Sequence, residues 1–273
     1  MIPKEKAKPA SIAQVLHLPL LWLFLLLWLA VVGLMFALSL PLPESWRWVG
    51  GLFLALATAT TLVALARRLP AQNVVLAAVL IGFIASVVQA VGATTGIPFG
   101  AFIYTNNFGP LLFDTLPCLI PLIWIVAIIN SRGVARLILR PWRKTKSYGF
   151  RVIGLACLLT MLLDFGLEPF AAKLNRFWIW QTPKTVLAWY TAPWTNFFGW
   201  ATTALLILAF ATPWFINKKS AGQPPDYHPL MVWLSLILLF AAGTAGHQLW
   251  WAAGFSLLAG LIVTIFALRG ARW

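Results

Sequence analysis

The chain has 273 residues, of which 61% are hydrophobic and 10% are charged, and it carries 20 Lys and Arg against 6 Asp and Glu. A soluble protein is about 25% charged, so this composition argues against a cytosolic enzyme, a secreted disulfide scaffold and a disordered tail. The two cysteines, Cys118 and Cys157, lie in apolar runs without metal or redox spacing and are interpreted as apolar packing residues. The composition is that of an integral membrane protein.

Eight hydrophobic runs approach or exceed the roughly 20 apolar residues that a helix needs to cross a membrane. The predicted spans cover residues 18–40, 48–69, 74–93, 111–130, 150–168, 194–216, 229–246 and 250–268. The last two are short and almost continuous, so seven spans is the competing count. The first run is too long for a cleavable signal peptide and no small-residue cleavage site follows it. The chain, 1–273, is therefore predicted to be a single all-helical transmembrane domain.

The net charge of +14 has two interpretations, a nucleic-acid partner or a topology signal. Short cytoplasmic loops accumulate Lys and Arg, and with eight spans the basic residues divide into 16 on one side and 4 on the other. The smaller set is Arg47, Lys173, Arg176 and Lys184. This asymmetry favours eight spans, predicts that both termini are cytoplasmic in a multi-pass protein of the inner cell membrane, and argues against nucleic-acid binding. The basic connection 131–149 is expected to lie near anionic lipid headgroups.

Three acidic residues lie at the predicted outer ends of spans: Asp114, Asp164 and Glu168. Asp164 and Glu168 are four residues apart, which places them on one face of a helix. Carboxyl groups inside a membrane are costly and indicate a functional site, and two of them close together do not readily both ionise. The pair is therefore interpreted as a proton donor. The alternative is a structural role, in which the pair binds nearby Lys or Arg or Glu168 marks the helix end before Pro169.

Other polar and aromatic residues gather on the same predicted side. An uncharged Gly-rich loop runs over residues 92–109, and aromatic segments cover 177–180 and 190–200. Such a loop at membrane depth must be buried or line a cavity, whereas the aromatics fit either an interfacial belt or the wall of a pocket that tolerates a cation. No cluster of His and carboxylates has metal-ligand spacing, so we expect no metal site.

Three of these segments resemble a bacterial and archaeal family of carotenoid biosynthesis proteins that includes carotenoid 1,2-hydratases. They are Thr95 to Thr105 with Gly109-Pro and 116–124, then Asp164-Phe-Gly-Leu-Glu168-Pro169 with Trp178-Ile-Trp180, and Tyr190 to Trp200. The resemblance covers about residues 90 to 200. Glu168 stands where the family usually has Asp, and Asp114 and Cys118 stand where small or neutral residues are expected.

The resemblance implies cofactor-independent hydration of a hydrophobic substrate, an acyclic carotenoid. An acid protonates C2 of the terminal isopropylidene group, and water captures the tertiary cation at C1. Asp164 and Glu168 would supply the proton, the aromatics would face the cation, and Asn196, Tyr104 or Thr105 would hold the water. The residues expected to contact substrate or water are Gln89, Phe99, Tyr104, Thr105, Asp114, Trp180, Tyr190, Asn196, Trp200 and His247.

Three rival functions remain open at the level of sequence. A lycopene-cyclase-like enzyme would use the same acid, but an internal double bond would capture the cation before a proton is lost. A prenyltransferase would need several carboxylates to hold Mg²⁺ and diphosphate, and the chain has no second acidic pair. A lipid or pigment carrier would show repeats and broken helices near the midplane, whereas the unusual polar groups of this chain lie at one rim.

Overall fold

The computed structural model describes residues 11–37, 43–181, 183, 185–216 and 223–273. Eight helices in this part are long and apolar enough to cross a membrane. They are α1 Ile12–Ala37, α2 Trp48–Ala66, α3 Ala71–Thr95, α4 Ile120–Ile138, α5 Tyr148–Glu168, α6 Trp194–Ala211, α7 His228–Gly246 and α8 Trp250–Ala271. The chain is a polytopic helical membrane protein, and the break between α7 and α8 makes them two separate helices, which gives eight candidate spans rather than seven among the described residues.

The prediction of orientation rests partly on basic residues outside the described ranges. These are Lys4, Lys6, Lys8, Lys184, Lys218 and Lys219. The cytoplasmic placement of both termini therefore stays a prediction.

The predicted bounds of the fourth span, 111–130, were wrong. Strands β2 Leu111–Leu112 and β3 Leu116–Pro117 form a short antiparallel hairpin instead, and α4 begins at Ile120 with a proline in its first turn. A short segment such as 111–117 fits a strand as well as a helix by periodicity alone. Asp114 consequently lies in the hairpin turn with a φ of 53° and is exposed, rather than at the end of a span.

Helix α4 extends further in the other direction than predicted, to Ile138, and takes Arg132 and Arg136 into the helix. The Arg132 guanidinium lies 4.4 Å from the centre of the Phe215 ring, an arrangement that lets an arginine remain within the bundle. Helix α4 packs against α2, α3, α5, α7 and α8. It is the central helix of the bundle, and its apolar residues form much of the core.

The connections at one end of the bundle form a folded layer, here called the loop cap, which comprises the described residues of 96–119 and 175–193. Strand β1 Phe102–Tyr104 pairs antiparallel with β4 Trp178–Trp180, so that Phe102 faces Trp180 and Tyr104 faces Trp178. A third pair joins β5 Ala188–Trp189 to β6 Ala192–Pro193. The loop cap covers the ends of α3 and α5 and the starts of α4 and α6, where the acidic pair lies.

Candidate active site

Asp164 and Glu168 lie on the last turns of α5 and meet one amide on the first turn of α6. Asn196 Nδ2 lies 2.6 Å from Asp164 Oδ2 and 3.1 Å from Glu168 Oε1, and donates to both. Both carboxyl side chains are buried, Asp164 completely. The ring of Phe165 stacks on Phe197 with centroids 3.9 Å apart, which fixes α5 against α6 beside this amide. The two carboxyls and the amide form one buried polar cluster, and the described residues give neither carboxyl an ion pair.

The pairing of β1 with β4 brings two more donors to Glu168. Side chains two residues apart on a strand point to the same face, so Trp178 and Trp180 both point toward α5. Their Nε1 atoms lie 3.2 and 2.8 Å from Glu168 Oε2 and donate to it. Ile179, between them, points the other way and is 55% exposed. Glu168 therefore accepts three N–H groups, whereas Asp164 Oδ1 has no hydrogen-bond partner among the described residues.

A second polar pair lies on the same side of the loop cap. Tyr104 Oη donates to Gln89 Oε1 over 2.8 Å, which links β1 to α3. Burial, together with the nearby Glu168 carboxyl, raises the pKa of the Tyr104 phenol above its ordinary value. Tyr104 is consequently a neutral hydrogen-bond donor over the whole range of physiological pH.

Phe99 is held between two glycines on facing helices. A Cβ atom added at Gly92 on α3 or at Gly199 on α6 would lie 2.6 Å from the Phe99 ring. The ring therefore fills a slot that only glycine leaves open on each helix, and its edge meets Phe102. This packing ties the Gly-rich loop to α3 and α6 and sets the position of β1.

These groups enclose a small cavity of about 20 Å³. A single water needs roughly 10–15 Å³ by the same measure, so the cavity has room for one. Its polar lining is Gln89, Tyr104, Glu168 and Asn196, and the indole N–H of Trp124, which has no partner among the described residues, belongs to the same wall. The remaining lining residues are apolar or aromatic: Phe99, Phe102, Ile120, Ile123, Trp178, Trp180 and Trp200.

A much larger cavity lies next to the small one. It measures about 560 Å³ and is mainly apolar, with walls from α1, α2, α4, α5, α6 and α7. Ligand pockets typically measure about 300–1,000 Å³. Ile123, Trp178 and Trp200 line both cavities and separate them. An elongated apolar molecule in the large cavity would end against this partition, beside Glu168.

The structure brings together most of the residues predicted for the site. Gln89, Phe99, Tyr104, Glu168, Trp180, Asn196 and Trp200 line the small cavity. Asp164 lines neither cavity and touches the site through Asn196.

Four predicted residues lie elsewhere. Thr105 caps the turn that follows β1 and donates to the Arg176 carbonyl. Asp114 is exposed in the β2–β3 turn. Tyr190 accepts from the backbone N–H of Ala252 on α8. His247 Nδ1 lies 2.9 Å from the Gly243 carbonyl oxygen, at the end of α7.

Five lining residues were absent from the predicted site: the aromatic Phe102, Trp124 and Trp178, and the aliphatic Ile120 and Ile123. The alternation of Phe102 with Tyr104 and of Trp178 with Trp180 is a strand signal that places each pair on one face. Trp124 carries no such signal, because one aromatic within an apolar helix looks like any core residue. It stacks on Trp200 with centroids 4.3 Å apart.

Comparison with known proteins places the chain in a family. A profile described as "Carotenoid biosynthesis protein" matches residues 49–263. The chain belongs to the carotenoid biosynthesis protein family. It is also similar to bisanhydrobacterioruberin hydratase of Haloarcula japonica, with 29% identity over 126 residues, which is 45% of this chain and 40% of that protein. No solved structure matches.

Among the described residues, no group of three His, Cys, Asp or Glu side chains is placed to hold a metal ion.

Proposed function

We propose that this protein is a carotenoid 1,2-hydratase, which adds water across the terminal C1,C2 double bond of an acyclic carotenoid. One observation carries the proposal: a carboxyl, an amide and a phenol converge on a cavity with room for one water, beside a large apolar cavity. Membership of a carotenoid biosynthesis family and similarity to a hydratase support the same reaction.

Glu168 is the proton donor in this proposal, because it is the member of the acidic pair that lines the small cavity. The pair shares a transferable proton, since two carboxyls this close in a poorly solvated interior do not both ionise. When the proton moves to C2, negative charge develops on Glu168. The N–H groups of Trp178, Trp180 and Asn196 are already directed at that carboxyl, and donors in place where charge develops lower the barrier.

The cation left at C1 needs a surface that stabilises it without removing a proton. Aromatic faces attract a cation through their quadrupole, and six aromatic rings besides Tyr104 line the small cavity. Water then attacks C1 and returns a proton to the acidic pair, so that the net reaction adds one water and needs no redox partner. Tyr104, Gln89 and Asn196 hold and orient this water, while Tyr104, as a neutral phenol, is a poor base.

Expression in a host that accumulates an acyclic carotene tests the proposal. The wild-type chain is expected to yield a product heavier by one water per reacting end, and Glu168→Gln none, because the amide cannot give up a proton to carbon. Asp114→Asn is the matched control, since Asp114 is an exposed carboxyl that lines neither cavity. A product of unchanged mass would indicate a cyclase, an unaltered carotene would favour a carrier, and normal product from Glu168→Gln would refute the acid assignment.

A further inference from the structure

A third cavity lies at the other end of the bundle, remote from the loop cap. It measures about 480 Å³ and is formed by α2, α4, the start of α7 and the connection between α4 and α5. Six cationic side chains line it: Arg68, Arg132, Arg136, Arg140, Arg143 and Lys144. The reaction proposed above uses none of them.

Helix α4 and the turn after it supply most of this charge. Arg132 and Arg136 are four residues apart on one face of α4, and Arg140 follows four residues later in the turn after the helix. All three side chains are half-buried, whereas Arg143 and Lys144 are exposed at the rim. Like charges at this spacing repel each other, so the arrangement is unfavourable unless an anion compensates it.

The described residues supply this cavity with one carboxylate, Asp226. Asp226 already pairs with two arginines that directly follow α2, at 3.1 Å from Arg67 Nη2 and 2.8 Å from Arg68 Nε. Arg140 Nη2 donates to the carbonyl of Gln223. In the part of the chain that the structure describes, no carboxylate pairs with the cations contributed by α4 and its connection. The cavity is therefore strongly basic, and the described carboxylates do not neutralise the cations that α4 and its connection contribute.

We propose that this cavity binds the phosphate group of an anionic ligand. The planar guanidinium of arginine matches phosphate oxygens in a bidentate geometry, and basic pockets between transmembrane helices are suited to lipid headgroups. Apolar side chains such as Ala64, Leu69 and Leu137 line the same cavity beside the arginines. An anionic phospholipid and a soluble phosphate compound share the chemistry that the arginines recognise.

Thermal unfolding of the full chain, purified in a neutral detergent, tests this site, because a ligand that binds only the native state raises the Tm. The probes are phosphatidylglycerol, phosphatidylcholine and inorganic phosphate, all at one ionic strength. We expect a saturable rise in Tm with phosphatidylglycerol and none with phosphatidylcholine. A saturable rise with inorganic phosphate alone would also support the site and would identify a soluble phosphate compound as the source.

Two double variants locate the binding. Arg136→Gln with Arg140→Gln removes charge within the cavity, and Arg143→Gln with Lys144→Gln removes it from exposed positions that do not affect packing. Each is expected to weaken binding about thirtyfold, because each removes two cationic side chains. Lys146→Gln with Arg151→Gln is the matched control, because both side chains are exposed and line none of the three cavities described above. No saturable shift with any probe, or equal weakening in the control, would overturn the proposal.

Discussion

At the scale of single residues, the surroundings of the two carboxyls suggest different roles. Glu168 lines a cavity and accepts three N–H groups, whereas Asp164 lines none and accepts from Asn196 alone. Position along the sequence indicated that the two share a helix face but did not distinguish them, because the distinction depends on strand β4 and on α6. We infer that Glu168 contacts the substrate and that Asp164 acts through its neighbour.

Asp164→Asn is therefore expected to reduce turnover and leave it measurable, while Glu168→Gln eliminates it. Asparagine keeps the volume of Asp164, but it cannot hold the proton that the two carboxyls share. The comparison is made by product formation per unit of membrane-inserted protein, with the pH profile of each variant. A flattened acidic or basic limb in the pH profile of Asp164→Asn would show that Asp164 titrates together with Glu168. Complete loss in Asp164→Asn with full activity in Glu168→Gln would reverse the assignment.

The indole N–H groups are expected to contribute to the rate. Trp178→Phe and Trp180→Phe each remove one donor to Glu168 and keep an aromatic ring, so each should lower kcat about tenfold to a hundredfold, at or below the usual effect of losing one preorganised donor. Trp189→Phe is the control, because its indole donates to the Phe165 carbonyl and lines neither cavity. An equal loss in all three variants would indicate a general packing effect.

At the scale of elements, the number and approximate position of the helices followed from hydrophobicity, while the loop cap did not. Hydrophobic runs define what crosses a bilayer, but a short apolar strand and a helix end have the same composition, which is why the hairpin at 111–117 was predicted as helix. The pairing of β1 with β4 joins segments more than 70 residues apart. Contacts at such a separation depend on tertiary packing, which leaves no local signal in the sequence.

The slot for Phe99 provides a test of how the elements hold the loop cap. Gly199→Ala would place a methyl group 2.6 Å from the Phe99 ring, and overpacking of this kind typically costs about 1–3 kcal/mol. We expect a lower Tm and reduced turnover, since displacement of Phe99 moves β1. Gly254→Ala on α8 is the control, because a Cβ there meets nothing within 4 Å. A Gly199→Ala protein as active and stable as this control would contradict the packing.

At the scale of the whole molecule, the large apolar cavity and the small cavity beside Glu168 lie at one end of the bundle, and the basic cavity lies at the other. The large cavity is lined by residues from six helices spread along the chain, so no single segment of the sequence predicts it. If it holds the polyene, reducing its volume should weaken substrate binding without altering the chemistry at Glu168.

Ala127→Phe tests this arrangement, because Ala127 lines the large cavity and does not line the small one. We expect a raised KM or loss of turnover with long carotenes and little change in Tm, since the cavity has room for the ring. Ala55→Phe is the matched control on the exposed face of α2. Equal kinetics for the two variants would place the substrate outside this cavity.

The most direct measurement is turnover by the purified full chain in detergent, with an acyclic carotene and water labelled with heavy oxygen as the only additions. Hydration through Glu168 predicts a hydroxylated carotenoid that carries the label at C1, formed by the wild-type chain and absent with Glu168→Gln. A cyclic product of unchanged mass, or no reaction of a protein that binds the carotene, would contradict the hydratase proposal.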